Sequence, residues 1–482
     1  MNDPETYRSY RNLPHLAGLC SFPEAIKPGL GIQDCVERLK RYHYALRRIW
    51  AITLSRLTAE PVYEIKMAFS HHAYLASELI TLMRDRVAEM RQPPLGLDKI
   101  PDEALQTFFD EIQAAPMEAL LHGLYQKALP ALREALERHL EHTNDLADAP
   151  SVRMIKMALV DLDAMQNWGN VACRSFPSVD LDDWLLELDR WLLIAGGFDG
   201  CEENVDSELP DKRFSKQAFA MDHTPQRDGR FPDPYNMGVH AEQFLYDDQF
   251  PDQDKVLMMF FKRFREIDVP EMMATILIDL AEESRDEDGS GRPWDFYRDM
   301  TRQLWDEARH AMMGEVGFVD AGLDWSALVR LNFTWSKGLN EQLTPRERHA
   351  VLWFIEQGLM SKTGKRFEWE VGRDSGNRLS MLFQDYDWAD EVLHARIGRD
   401  WYVKGFESVQ AAAEYGSACW DKVMTDWEKW RDEGLTGHRN WWPDLYRASC
   451  KLRGVDPDPK IEAYSESYAS TRADLERIAA SG

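Results

Sequence analysis

The sequence predicts an all-α protein made of two helical bundles, and three observations carry that prediction. Apolar residues recur three and four apart along most of the chain, the period of helices with one buried face. Alternating Val/Ile/Thr runs of the kind that mark strands are scarce. The 482 residues are about three times the ~150-residue prior for one domain, and 44% hydrophobic content suits a globular chain with room for two cores.

Taken in order, residues 32–90 read as two long helices broken at Ala59-Glu60-Pro61. The run Gln92-Pro93-Pro94-Leu95-Gly96 ends the pair by withdrawing backbone donors. Helix resumes over 102–144 and 151–173, and a short amphipathic piece over 180–194 leads into Ala195-Gly196-Gly197. Residues 201–253 are rich in Pro, Gly, Asp and charge and show little periodicity. Such a stretch is either a functional loop or a domain connection, and we read it as a connecting segment or lid. Strong helical pattern fills 254–402, and a helical tail, 403–482, frays from 464 onward. The expected division is therefore 1–200, 201–253, 254–402 and 403–482.

A formal charge of −26 makes phosphate backbones and anionic membranes unfavourable partners. The six cysteines, Cys20, Cys35, Cys173, Cys201, Cys419 and Cys450, are scattered without any spacing that suggests zinc or a disulfide framework. There is no basic leader with an apolar run and no uncharged apolar stretch near eighteen residues. The expectation is a cytoplasmic protein that binds neither nucleic acid nor membrane.

One string occurs twice: Asp306-Glu307-Ala308-Arg309-His310-Ala311-Met312-Met313-Gly314 and Asp390-Glu391-Val392-Leu393-His394-Ala395-Arg396-Ile397-Gly398. Both read D-E-x-x-H-A-x-x-G. Glu and His three apart share a helix face, so both can approach one metal, and the Ala and Gly that follow leave room for neighbouring helices. A single Glu-x-x-His is more often a solvated pair. Two copies sharing five positions point to metal.

A bundle holding two metals this way needs a Glu from each of two further helices. In an antiparallel hairpin, residues equally far from the turn lie level, since each arm advances ~1.5 Å per residue. Before the first copy the turn is Asp288-Gly289-Ser290-Gly291; Glu307 lies 16 residues beyond it and Glu271 lies 17 before it. Before the second copy it is Gly372-Arg373-Asp374-Ser375-Gly376; Glu391 lies 15 beyond and Glu356 lies 16 before. Glu282, Glu283 and Glu368 are too near the turns and read as surface charges. Pro270 must start or kink a helix beside Glu271. Thr344-Pro345-x-Glu347 is a capping box, and a 25-residue connection between Phe318 and Thr344 is long enough for a crossover. Two divalent cations would cancel four Glu charges with both His neutral, and oxygen and imidazole donors suit Fe or Mn. Trp305, Met312, Met313 and Trp388 read as core. Asp306, Asp390, Tyr297 and Tyr386 are candidate neighbours of the ligands.

The set Glu271, Glu307-x-x-His310, Glu356 and Glu391-x-x-His394 resembles the ferritin-like di-iron carboxylate superfamily over residues 254–402. That superfamily includes bacterioferritins, ribonucleotide reductase small subunits, manganese catalases and O2-dependent oxygenases and oxidases. The resemblance implies a ferritin-like four-helix bundle with a non-haem di-metal centre, bridged by Glu307 and Glu391, with Glu271 and Glu356 as terminal carboxylates. Two Fe are implied, with Mn or mixed Mn/Fe as alternatives, and no single reaction. Iron storage needs only one small bundle, so the additional architecture favours an enzyme. The expected function is O2 activation to hydroxylate, desaturate or cleave a small organic substrate, with Glu307 and Glu391 as catalytic ligands. An external electron donor and a homodimer are the other expected partners. The alternatives are peroxide or redox chemistry at Mn or Mn/Fe, and a non-catalytic scaffold tied by metal.

The first half reads as a worn, ligand-poor copy. After a turn at Ala147-Asp148-Ala149-Pro150-Ser151, Asp163 and Gln166 stand where Glu and His stood and would bind metal poorly. Glu64, His71, His72 and Glu78 share a helix and, with His122, His139 and His142, read as structural. His240 and Glu242 read as loop surface.

Overall fold

The computed structural model describes residues 6–90, 96–176, 180–202, 209–283, 292–360, 364–423 and 427–468. Among the described residues the secondary structure is helical, with no strand. The expected turn at Asp288-Gly289-Ser290-Gly291, the breaker Gln92-Pro93-Pro94-Leu95 and the end of the tail lie outside them. No helix among the described residues is long and apolar enough to cross a membrane.

The chain forms two compact units, Met1–Thr53 with His72–Ala220, and Leu54–His71 with Met221–Gly482. This differs from the linear division, because an early segment belongs to the second unit. Its polar side chains find their partners there. Thr58 Oγ1 donates to the Glu271 carbonyl (2.8 Å), Lys66 pairs with the Glu271 carboxylate, and Arg230 makes two 2.6 Å bonds to Glu64.

In the first unit, α1 (Ile32–Leu57) and α2 (Tyr63–Glu89) contribute their residues up to Thr53 and from His72 onward. The others used below are α3 (Glu103–Ala114), α4 (Leu129–His142), α5 (Ala149–Ser175) and α6 (Asp182–Ile194). Helix α4 packs on α5 and α3 on α6. Buried Glu111, on α3, accepts from the backbone N–H groups of Phe214 (3.1 Å) and Ser215 (2.8 Å), which ties down part of the irregular segment. Asp163 is half-exposed and pairs with Arg133 at 2.7 Å.

The second unit contains α7 (Asp252–Arg265), α8 (Asp268–Glu283), α9 (Trp294–Asp320), α10 (Thr334–Gln342), α11 (Pro345–Leu359), α12 (Lys365–Asp374) and α13 (Arg378–Trp401). Helices α8, α9, α13 and α11 pack in a closed cycle, each on the next, while α7 lies along α9 and α12 along α13. Pro270 lies in the first turn of α8, just after the break from α7. It has no N–H for the Glu266 carbonyl, Val269 N–H takes that carbonyl instead (3.0 Å), and the helix breaks at Glu266-Ile267. The second arm is also interrupted, since α11 ends at Leu359 and α12 is a separate helix before the turn at Ser375-Gly376. The expected capping box forms, with Glu347 Oε2 accepting from Thr344 N–H at 2.9 Å. The repeated glycine works as a contact point on both copies. A Cβ at Gly314 would collide with backbone atoms of Phe264 and Phe260 on α7, and one at Gly398 with the Trp353 ring on α11.

His240 and Glu242 are buried, contrary to the loop-surface expectation. His240 caps the short helix Ala241–Leu245 by accepting from Gln243 N–H, and Glu242 is held by Arg265 (2.6 Å) and the Tyr468 hydroxyl. Phe231, Val239, Phe244 and Leu245 anchor this stretch in the core of the second unit.

His349 on α11 is buried between the Phe296 and Tyr402 rings, with Nε2 lacking a hydrogen-bond partner. Burial, and secondarily Arg292, pushes its pKa from 6.5 down to about 3. Between those values the unfolded chain binds a proton that the folded chain does not. Stability should therefore fall as pH drops below 6.5, by up to about 1.4 kcal/mol per pH unit. Denaturant midpoints taken from about pH 7 to about pH 5 should fall less steeply for His349→Gln than for the wild type. Equal slopes would remove His349 as a contributor.

Candidate metal centre

Helices α9 and α13 bring the two repeats face to face, with the His310 and His394 ring centroids 6.0 Å apart. Glu307 reaches both histidines. Its Oε1 lies 3.1 Å from His394 Nδ1 and its Oε2 lies 3.6 Å from His310 Nδ1. Glu391 Oε2 is 3.7 Å from His394 Nδ1, and Glu356 Oε1, on α11, is 3.9 Å from the same atom. Three overlapping groups result, each with its ligand atoms within 4.8 Å: Glu307, Glu356, Glu391 and His394; Glu266, Glu307 and His310; His310, Asp387 and Glu391. Glu307 and Glu391 each belong to two of them.

The aspartates of the repeat cross-brace it. Asp390 Oδ2 lies 3.1 Å from His310 Nε2, and Asp306 Oδ2 lies 3.4 Å from His394 Nε2, so each copy holds the histidine of the other. Arg309 bridges the two aspartates, at 2.8 Å to Asp390, and Arg302 Nε adds two 2.9 Å bonds to Asp306. A histidine that donates from Nε2 to a carboxylate keeps its proton there and turns the Nδ1 lone pair into the cluster.

Glu271 is not part of this constellation. Its carboxylate is taken by Lys66, by Arg227 Nη2 at 3.1 Å and by Ser336 Oγ at 3.1 Å. Glu266, at the break between α7 and α8, stands in its place, with Oε2 3.3 Å from His310 Nδ1. Glu368 is no surface charge either. It is buried and accepts from Lys262, from Arg263 (3.4 Å) and from the Tyr246 hydroxyl (3.0 Å). Tyr297 is buried and donates to the Leu280 carbonyl (3.1 Å), whereas Tyr386 is 58% exposed, away from the buried ligands. Glu64, His71 and His72 are not gathered into one site: Glu64 pairs with Arg230, His71 stacks on Trp305 and His72 bonds the Tyr125 hydroxyl.

Sequence reasoning missed Glu266, Asp387, Lys365 and Arg263. Asp387 lies one helical turn before Glu391, and Glu266 lies four residues before Pro270, so both carried a readable signal. Lys365 Nζ lies 2.7 Å from Glu391 Oε1 and 2.9 Å from Asp387 Oδ1. Arg263 is fully buried and pairs with Asp387 and with Glu266 (3.0 Å). No long-range signal in one sequence places these cations.

The electrostatics separate neighbouring carboxyls. Burial raises the pKa of Glu307, but His310 and His394 outweigh it and bring the group down to about 2. Burial and the adjacent Glu391 carboxylate hold Glu356 well above the usual carboxylate range. Glu391 lies well below that range because Lys365, above all, overcomes its burial. Both histidines are held well above their ordinary value by the surrounding carboxylates, against burial.

Six buried ligand atoms have no hydrogen-bond partner: Glu266 Oε2, Glu307 Oε1, Glu356 Oε2, Glu391 Oε2, His310 Nδ1 and His394 Nδ1. They face one another, with His394 Nδ1 3.1 Å from Glu307 Oε1 and His310 Nδ1 3.3 Å from Glu266 Oε2, an arrangement of converging lone pairs that fits a site built for cations. Carboxylate and imidazole donors together suit Fe or Mn. No protein-family model, curated protein or solved structure matches the chain.

Proposed function

We propose that the α8, α9, α13, α11 cycle is a ferritin-like bundle and that the protein is a di-iron enzyme that activates O2 to oxidise a small organic molecule. The convergence of six unpartnered donor atoms from four segments carries this reading. Glu307, Glu391, Glu266, Glu356, His310 and His394 would hold the metals. Bound iron supplies the electrons and Lewis acidity for O2 reduction.

The chain's own residues prepare the site. Asp306 and Asp390 orient the two imidazoles, and Lys365 balances Glu391. The Glu307, Glu391, His310 and His394 side chains are at most 2% exposed, which keeps bulk water away. One and two turns before Asp387 on α13, Gln384 and Ser380 are buried with Gln384 Oε1 and Nε2 and Ser380 Oγ unpartnered. A scaffold gains nothing from such groups, whereas a polar substrate beside the centre would satisfy them.

Anaerobic reconstitution with Fe(II) is expected to give about two iron ions per chain, and the Glu307→Ala/Glu391→Ala variant close to none. The loaded protein should consume O2, with product formed only when an organic substrate is present. Peroxide consumption by manganese-loaded protein without organic substrate would favour the redox alternative. Absence of both metals, with stability unchanged by Glu307→Ala, would sink the enzymatic reading.

A further inference from the structure

The first unit contains a second convergence of metal-binding side chains. Cys35 in the first turn of α1, His139 in the last turn of α4 and Asp148 just before α5 are all buried, and one ligand atom from each lies within 4.8 Å of the others. Cys35 Sγ is 3.5 Å from Asp148 Oδ2. That is the separation of two ligands on one tetrahedral zinc, given Zn–S of ~2.3 Å and Zn–O of ~2.0–2.2 Å. His139 is 0% exposed, and neither Nδ1 nor Nε2 has a hydrogen-bond partner. A buried imidazole ordinarily uses at least one ring nitrogen.

Asp148 gives the third indication. It occupies the N-cap position of α5, where a carboxylate capping the helix is worth ~1 kcal/mol, yet it makes no cap bond. Oδ2 instead faces Cys35 and the Thr143 hydroxyl (3.2 Å), while Oδ1 accepts from Arg86 (2.6 Å). The backbone around the three residues is tied in place. Asn144 Nδ2 donates to the Ala25 and Lys27 carbonyls (3.0 and 2.7 Å), Leu30 N–H donates to the His142 carbonyl (3.2 Å), and Asp148 N–H to that of Asn144 (2.9 Å). A side chain at Gly29 would collide with the Asn144 backbone, so glycine permits this approach.

We propose that Cys35, His139 and Asp148 bind one zinc ion, which clamps the start of α1 to the turn between α4 and α5. The thiol proton leaves to solvent, and one thiolate and one carboxylate then neutralise the dication. His139 binds neutral, and Arg86 stays on the outer Asp148 oxygen. The carboxylate centre of the second unit offers only oxygen and nitrogen donors, so sulfur ligation distinguishes the two.

The test uses the full-length protein carrying Glu307→Gln and Glu391→Gln, which cripples the carboxylate centre, titrated anaerobically with Co(II). A near-ultraviolet sulfur-to-cobalt charge-transfer band should saturate at about one equivalent and be displaced by zinc. Cys35→Ser should abolish it, and replacing the exposed Cys201 should not. No band, or a band that survives Cys35→Ser, overturns the proposal. Where Cys35→Ser does not fold, zinc-edge X-ray absorption of the parent protein decides. One sulfur among nitrogen and oxygen neighbours supports the site, and any other sulfur count overturns it.

Discussion

Glu266→Gln is expected to strip metal from the carboxylate centre and leave the fold intact, and Glu271→Gln to do the reverse. Glu266 Oε2 is one of the six unpartnered donors and faces His310 Nδ1, while its other oxygen is held by Arg263. An amide keeps the size but removes the charge. Deleting groups that merely orient a ligand costs 10–100-fold in metal affinity, so losing a ligand should cost at least about 100-fold. Glu271 instead neutralises Lys66 and Arg227, whose side chains are each 1% exposed. Removing one partner of a buried pair costs about 3–5 kcal/mol, and Asp268, still bound to Arg227 at 2.9 Å, should keep the loss near the lower end. Iron content after anaerobic reconstitution, with denaturant midpoints of the metal-free proteins, reads both effects. Metal retained by Glu266→Gln and lost by Glu271→Gln would restore the assignment made from sequence.

Arg263→Met should produce the largest loss of stability of any single substitution considered, about 3–5 kcal/mol. The guanidinium is fully enclosed and serves Asp387, Glu266 and Glu368 together. Without it Asp387 retains Lys365 and Glu368 retains Lys262, which leaves the cluster one positive charge short. The loss should appear as a lower denaturant midpoint at unchanged m. Asp387→Asn added to that background should recover a good part of it, because the uncompensated charge is then gone. A loss below about 1 kcal/mol would mean that the cluster tolerates the imbalance, and the ion-pair account would be wrong.

The helical character of the chain was legible in its periodicity, and the repeat located Glu307, His310, Glu391 and His394 because two residues three apart are held on one face by local geometry alone. Level counting across hairpins fared differently. It counted back to Glu271 and took Pro270 as the start or kink of a helix there, whereas the chain breaks at Glu266-Ile267 and Glu266, five residues before Glu271, is the carboxylate opposite His310. It also treated 345–371 as one arm, although α11 ends at Leu359, so Glu356 reaches the cluster by packing and not by the count. Nothing in the spacing foretold that Lys66, 205 residues away, claims Glu271. The six cysteines are free, in keeping with their scattered spacing, but the approach of Cys35 to Asp148 was out of reach of the sequence for the same reason. Short-spacing rules find ligands on one loop, whereas Cys35 and Asp148 are 113 residues apart and meet only because α1 and the α4–α5 turn are tied together.

The residence of Leu54–His71 in the second unit means that the protein cannot be cut into two self-sufficient fragments at the irregular segment. A C-terminal piece beginning at residue 221 would keep Glu271 and Asp268 but lack Lys66 and Thr58, and Arg230 would lose Glu64. Such a piece is missing an internal strip of its own interior. Gene fusions, split reporters and truncations designed on a two-halves plan would disrupt the carboxylate-bearing unit even though every candidate iron ligand lies in the retained part.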